Sequence, residues 1–166
     1  AMLQRHAERM EQEARLIYRC PLGPETTHGS FFAPQAFEIK DLAQLEREIF
    51  GPVLHVVRYP ANQLDKVIDA VNATGFGLTF GIHSRIDRTV RHVTERIRAG
   101  NAYVNRNMIG AVVGVQPFGG EGLSGTGFKA GGPHYLYRFA TERTLCINTT
   151  AAGGNASLMS LQEEGE

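Results

Sequence analysis

Residues 54 to 105 constrain this chain more than any other stretch, because two kinds of periodicity alternate along them. LHVVRY at 54–59 is a compact β-branched run that predicts a strand. NQLDKVIDAVN at 62–72 changes to helical spacing, with Leu64, Val67, Ile68 and Val71 together, Asn62 at the cap, and Gly75 and Gly77 as stops. LTFGIHS predicts the next strand, and Ser84 or Arg85 opens a second helix carrying Ile86, Val90, Val93 and Ile97. Gly100 stands where a left-handed terminator is expected, and NAYVN at 101–105 reads as another strand. Strand-helix-strand-helix-strand at these lengths predicts the α/β class. Crossovers of this kind are overwhelmingly right-handed, which favours a mostly parallel sheet flanked by helices.

Upstream, residues 1–18 place Leu3, Ala7, Met10, Ala14 and Ile17 on one face at three- and four-residue spacing, which predicts an amphipathic helix. It starts without a capping signal, as a cut through a longer chain would leave it. Cys20 and Pro21 lead into a loop; Phe31-Phe32 and Ala36–Ile39 are short strand candidates. Asp41 is placed to cap a helical turn in DLAQLEREIFGP, which ends at Gly51-Pro52.

Of the chain's 19 glycines, nine fall between Gly110 and Gly132. Such a density excludes a regular helix or long strand and predicts a loop that turns sharply or approaches something closely. A short helix is expected in GGPHYLYRF, with Pro133 near its first turn. The stretch 144–149 is β-type, and a lone strand there must pair with something. It is either the edge of this unit or the contact to a missing domain or second subunit. The chain therefore divides into a body at 1–140, a strand region at 141–150 and a tail at 151–166.

At 166 residues the chain can bury a core, and 42% apolar with 20% charged residues is ordinary for one globular unit. Seventeen basic and seventeen acidic side chains cancel, so nothing favours binding to nucleic acid or an anionic membrane. No apolar run approaches the ~18 residues of a membrane span, and no signal-peptide core is present; a cytoplasmic location is expected. Cys20 and Cys146 belong to no metal-ligand pattern, and His83, His92 and His134 have no ligand spacing with carboxylates. No metal is expected, and His92 reads as solvated on a charged helix.

No Gly-x-Gly-x-x-Gly follows a strand, and there is no P-loop. Two segments remain that folding alone explains poorly. In REIFGPV, Glu48 and Phe50 precede a Gly-Pro turn, where a carboxylate suits sugar hydroxyls and a ring suits a planar group. Unaided, the pair reads more readily as a solvated glutamate and a core phenylalanine. In GAVVGVQPFGG, small residues and bare N–H groups surround Phe118. They suit either an anion-binding nest or an ordinary interdomain loop.

Taken in order, EIFGPV at 48–53, VNATGFGLTFGIHSR, IRAGNAYVNR and PFGGEGLSGTG at 117–127 resemble the C-terminal part of the aldehyde dehydrogenase superfamily. The resemblance runs over nearly the whole chain, from about Leu16 to Asn148. GAVVGVQPFGGEGLSGTGFKAGGPHYLYRF is similar to the glutamate-semialdehyde (1-pyrroline-5-carboxylate) dehydrogenase branch. The tail CINTTAAGGNASLM resembles the end of bacterial bifunctional proline-utilisation proteins. Those join an FAD-dependent proline dehydrogenase to this dehydrogenase, and some carry an N-terminal DNA-binding segment.

The resemblance implies NAD as cofactor, with Glu48 on the nicotinamide ribose hydroxyls and Phe50 beside that ribose and ring. It implies that Gly110 and Ala111 donate backbone N–H groups to the substrate α-carboxylate, and that Phe118 lines the aldehyde pocket. In related enzymes the second anchor position is often Ser, so Ala111 offers only its backbone. Asn105 reads as structural. The implied chemistry is attack of a cysteine thiolate on the aldehyde, oxidation by NAD+, and hydrolysis assisted by a general-base glutamate. Both catalytic groups are expected upstream, since YRCP around Cys20 lacks the glycine-rich turn of a nucleophile. The two cysteines read as buried structural thiols. No catalytic residue is thus expected here, the fragment alone is expected to be inactive, FAD belongs only to absent parts, and residues 144–149 are expected to form a homodimer contact. The rivals are another aldehyde dehydrogenase branch, such as a succinate-semialdehyde or betaine-aldehyde enzyme, and a non-catalytic α/β dimerisation domain.

Overall fold

The computed structural model describes residues 2–112, 114–125 and 127–148. Its first element, helix α1 (Met2–Glu13), contains no β-branched residue and buries His6, Ala7 and Met10. The helix is shorter than its apolar spacing predicts. Its last bond runs from Ala14 N to Met10 O, and Arg15–Arg19 then forms strand β1. Ile17 therefore leaves the helical face: Leu16, Ile17 and Tyr18 suit a strand, and a paired neighbour is available to them. That neighbour is β2 (Gln35–Ile39), antiparallel to β1 and parallel to β3 (Val53–Val57), in the order β1-β2-β3. Phe31-Phe32 lies outside any strand.

Alternation along β2 buries Gln35, Phe37 and Ile39 on one face. Phe37 and Ile39 meet Met10 in the core, where Ala14, Leu45, Val53 and Val57 pack around them. Phe37 and Met10 are fully buried. As its position predicts, Asp41 caps the short 3-10 turn Leu42–Gln44, its side chain accepting from Ala43 N at 2.9 Å.

The second half realises the alternating pattern. Helix α2 (Leu64–Ala73) follows a 3-10 turn at Ala61–Gln63, so Gln63 and not Asn62 stands at its cap, with no side-chain bond. Strands β4 (Phe76–Gly77) and β5 (Thr79–Ile82), helix α3 (Asp87–Arg96) and β6 (Asn101–Val104) complete the run. β5 and β6 pair in parallel across the α3 crossover. Helices α2 and α3 are tied by Asn72, which donates to Arg96 O at 2.9 Å and accepts from Arg98 N at 2.8 Å. Arg96 also reaches Asp65 and Asp69. His92, expected to be merely solvated, bonds Asp65 at 2.5 Å.

The described strands form three separate sheets, two of them of two strands, and the pairings are mixed. The third sheet joins β4 antiparallel to β7 (Glu121–Gly122) inside the glycine-rich segment. A 3-10 turn at Tyr135–Phe139 stands where a short helix is expected. Among the described residues 144–148 no strand pairing is formed, and Leu145 and Ile147 are exposed. Residues 149 and 150, the end of the expected strand region, and the tail 151–166 lie outside the described residues.

Both cysteines differ from the expectation of buried thiols. Cys20 is only partly covered just after β1, and Cys146 is exposed. The described residues contain no group of three possible metal ligands and no helix long and apolar enough to cross a membrane.

Candidate functional site

Glu48 and Phe50 lie in the irregular segment between the Leu42–Gln44 turn and β3. Both are exposed, Phe50 to 82%. That overturns the reading of Phe50 as a core aromatic: the core beside this segment is filled by Met10, Phe37 and Ile39, leaving Phe50 no place in it. Among the described residues Glu48 makes no hydrogen bond or ion pair. The segment is held against α1, where a side chain added at Gly51 would strike Leu3. An exposed ring and an unpaired carboxylate two residues apart leave both groups accessible to a ligand.

The second group lies on the loop after β6. Asn105 ends that strand in the left-handed region (φ 55°). Its amide accepts from Ser84 N at 2.9 Å and donates to Ser84 O at 3.0 Å, a structural task. Gly110 has φ 73°, and a side chain there would meet nothing within 4 Å, so its requirement for glycine is conformational. Its N–H donates to Met108 O at 2.9 Å, and Val112 N donates to Gln116 Oε1 at 3.2 Å. Ala111 N, between them, makes no hydrogen bond among the described residues. The two-donor nest expected at Gly110 and Ala111 is thus one open donor, Ala111, next to one that is already engaged.

Phe118 is half-buried and pinned by a two-bond bridge to Ala130: Phe118 N to Ala130 O at 3.0 Å and Ala130 N to Phe118 O at 2.9 Å. The glycine-rich segment packs onto the end of the α/β unit. Ser124 Oγ accepts from Gly77 N at 3.0 Å, and Leu123 N donates to Gly75 O at 2.9 Å. Gly100, expected as a left-handed helix terminator, does not adopt that conformation; α3 ends in extended backbone at Ile97. Gly100 is needed for proximity, since a Cβ there would lie 1.8 Å from Gly119 O.

Two features are absent from the sequence reading. Asn101 donates from Nδ2 to Pro117 O at 2.9 Å and accepts at Oδ1 from Gly119 N at 3.1 Å, bracketing Phe118. His6 and His55 bring their Nε2 atoms to 2.8 Å between α1 and β3. Burial lowers the pKa of both, aided by Arg9 and Arg47 at His6 and by the facing ring and Arg9 at His55. Neither residue stands in a motif, so only the folded chain brings these partners together.

Comparison with known proteins identifies the family. The profile described as "Aldehyde dehydrogenase family" matches residues 2–145. This chain belongs to the aldehyde dehydrogenase family. It is 58% identical over 139 residues to the bifunctional protein PutA of Rhizobium meliloti, covering 84% of this chain and 11% of that protein. Against human mitochondrial delta-1-pyrroline-5-carboxylate dehydrogenase it is 39% identical over 122 residues, 70% of this chain and 22% of the other. The chain thus spans only about a tenth of the PutA length.

Solved structures agree. A Bradyrhizobium japonicum proline utilization A mutant superposes with a TM-score of 0.80 at 58% identity, over 90% of this chain and 15% of that one. A Thermus 1-pyrroline-5-carboxylate dehydrogenase with bound NAD gives 0.72 at 35% identity, over 83% and 26%. The α/β elements described here are accordingly part of an aldehyde dehydrogenase domain.

Proposed function

We propose that this chain forms the substrate-carboxylate wall and one edge of the cofactor site in an enzyme that oxidises L-glutamate 5-semialdehyde to L-glutamate. The observation that carries the reading is the likeness, at 35% identity and a TM-score of 0.72, to a 1-pyrroline-5-carboxylate dehydrogenase with NAD bound. The PutA relatives support placing the activity in a bifunctional proline-degrading polypeptide, whose FAD would belong to the proline dehydrogenase part. A cytoplasmic location goes with that reading.

Bound NAD+ would supply the hydride acceptor for oxidation at the aldehyde carbon. The residues of this chain bind and orient. Glu48 would accept hydrogen bonds from the nicotinamide ribose, and Phe50 would lie against that ribose and ring. Ala111 N–H would meet the substrate α-carboxylate, joined by Gly110 N–H once it leaves Met108 O. Phe118 would cover the aliphatic part of the substrate and exclude water. The cysteine nucleophile and the general base are assigned to residues outside this chain, so the isolated chain would be inactive. Residues 144–149 would pair with a second subunit; in a strand there, Leu145 and Ile147 would share one face.

Steady-state kinetics of the complete polypeptide test this. Glu48→Ala is expected to raise KM for NAD+ about 10-fold with the aldehyde KM unchanged, and Phe118→Ala to lower kcat/KM for the semialdehyde at least about 10-fold. Unchanged constants in both variants would remove these residues from the site. NADH produced at enzymatic rates by the isolated chain would refute the division of labour.

A further inference from the structure

The loop that carries Gly110 and Ala111 leaves β6 at Val104, and at Pro117 the chain comes back beside Asn101, the first residue of the same strand. Its two ends are tied by one side chain. From the first position of β6, Asn101 uses both halves of its amide on the peptide groups flanking Phe118: Nδ2 to Pro117 O at 2.9 Å, and Oδ1 from Gly119 N at 3.1 Å. Its own backbone is fixed by Asn101 N to Leu78 O at 3.1 Å. The preceding residue, Gly100, lies so close beneath the Gly119 carbonyl that no side chain fits between them. The returning segment is further held by Lys129 Nζ on Gly119 O at 3.3 Å and by the bridge from Phe118 to Ala130.

We infer that Asn101 is the positioning residue that sets the Phe118 ring against the Gly110-Ala111 loop, and so fixes where the substrate's aliphatic part lies relative to its carboxylate. Asn101 need not touch the substrate; it acts through the Phe118 backbone. An amide is required because one neighbour is an acceptor and the other a donor, and no other uncharged side chain of this reach offers both from a planar group. Half-buried hydrogen bonds to backbone make such a clasp stiff. Removing it leaves the Gly119 N–H and Pro117 C=O short of partners in the loop base, so the loop relaxes toward other arrangements. The inference rests on the reading of Phe118 and Ala111 as substrate contacts.

Asn72 supplies an internal control. Its amide makes the same kind of two-bond clasp, between α2 and the end of α3, and holds none of the proposed substrate or cofactor residues. In the complete polypeptide, Asn101→Ala is expected to raise KM for glutamate semialdehyde about 10-fold while kcat and KM for NAD+ stay within about 2-fold. Asn101→Asp keeps the acceptor for Gly119 N–H but faces Pro117 O without a donor, so its KM should fall between the two. It carries the test if the alanine variant does not fold. Asn72→Ala should lower thermal stability comparably and leave all three constants unchanged. Hydrogen exchange of residues 106–119 should accelerate in Asn101→Ala and not in Asn72→Ala.

A semialdehyde KM within 2-fold of wild type in both Asn101 variants, or an equal rise in Asn72→Ala, overturns the proposal. If the unaltered enzyme does not oxidise the semialdehyde at all, the proposed function fails instead, and the exchange rates still decide whether Asn101 holds the loop.

Discussion

Two glycines show how different physical demands select the same residue. Gly110 needs its left-handed φ of 73° but has open space where a side chain would stand, whereas Gly100 needs room, with the Gly119 carbonyl 1.8 Å from a built Cβ. Gly110→Ala should therefore cost about 1–2 kcal/mol of backbone strain without moving its neighbours. Gly100→Ala forces two backbones apart and should unfold the base of the loop, at more than about 3 kcal/mol. Urea unfolding of the two variants distinguishes these; equal losses would contradict the account. The glycine density correctly predicts a tightly turning, closely packed loop, but it does not reveal which glycine meets which demand. That depends on contacts between residues about twenty positions apart, such as Gly100 with Gly119. Asn101 was illegible for the same reason, since an asparagine opening a strand looks like any other until Pro117 and Gly119 are brought beside it.

At the scale of elements, periodicity predicts the existence of α2, β5, α3 and β6, the helices burying Ile68 and Val93 from their apolar faces, although α3 starts only at Asp87 and leaves Ile86 exposed before it. It fails where tertiary pairing outweighs local pattern. Ala14 and Ile17 continue the α1 spacing, yet Arg15–Arg19 pairs with β2. The strands β4 and β7, two residues each, are too short to carry a pattern at all. The joint between α1 and β3 is made by His6 and His55, whose 2.8 Å contact needs one ring to donate and the other to accept. Burial lowers both pKa values from 6.5, so the unfolded chain takes up protons before the folded one does. Stability should thus be undisturbed by this pair above about pH 6.5, and fall as pH drops below it until the lowered folded values are reached. Arg9 and Arg47 act in the same direction and Glu13 opposes them. Urea midpoints measured across that window should show the decline, and His6→Gln with His55→Gln, which keeps a neutral donor and acceptor, should flatten it. An unchanged slope in the double variant would remove the pair from the acid response.

For the whole molecule, the motif order at 48–53, 101–105 and 117–127 is legible in the sequence as a family resemblance, whereas the residues of 48–53 taken alone read as a solvated glutamate and a core phenylalanine. The structure separates those motifs into an exposed Glu48–Phe50 edge and a clasped loop from Gly110 to Phe118. Neither is a complete site, and each presents unfilled binding capacity: Glu48 without a partner, Phe50 at 82% exposure, and Ala111 N–H without an acceptor among the described residues. The proposed wall would discriminate by the α-amino acid head of the substrate. The most direct test is the ratio of kcat/KM for glutamate semialdehyde to that for pentanal, an aldehyde of equal chain length without the head, in the complete polypeptide with NAD+. A site that grips the carboxylate through backbone donors predicts a preference of at least about 100-fold for the semialdehyde. Equal values for the two aldehydes would contradict it and leave the family assignment without the substrate.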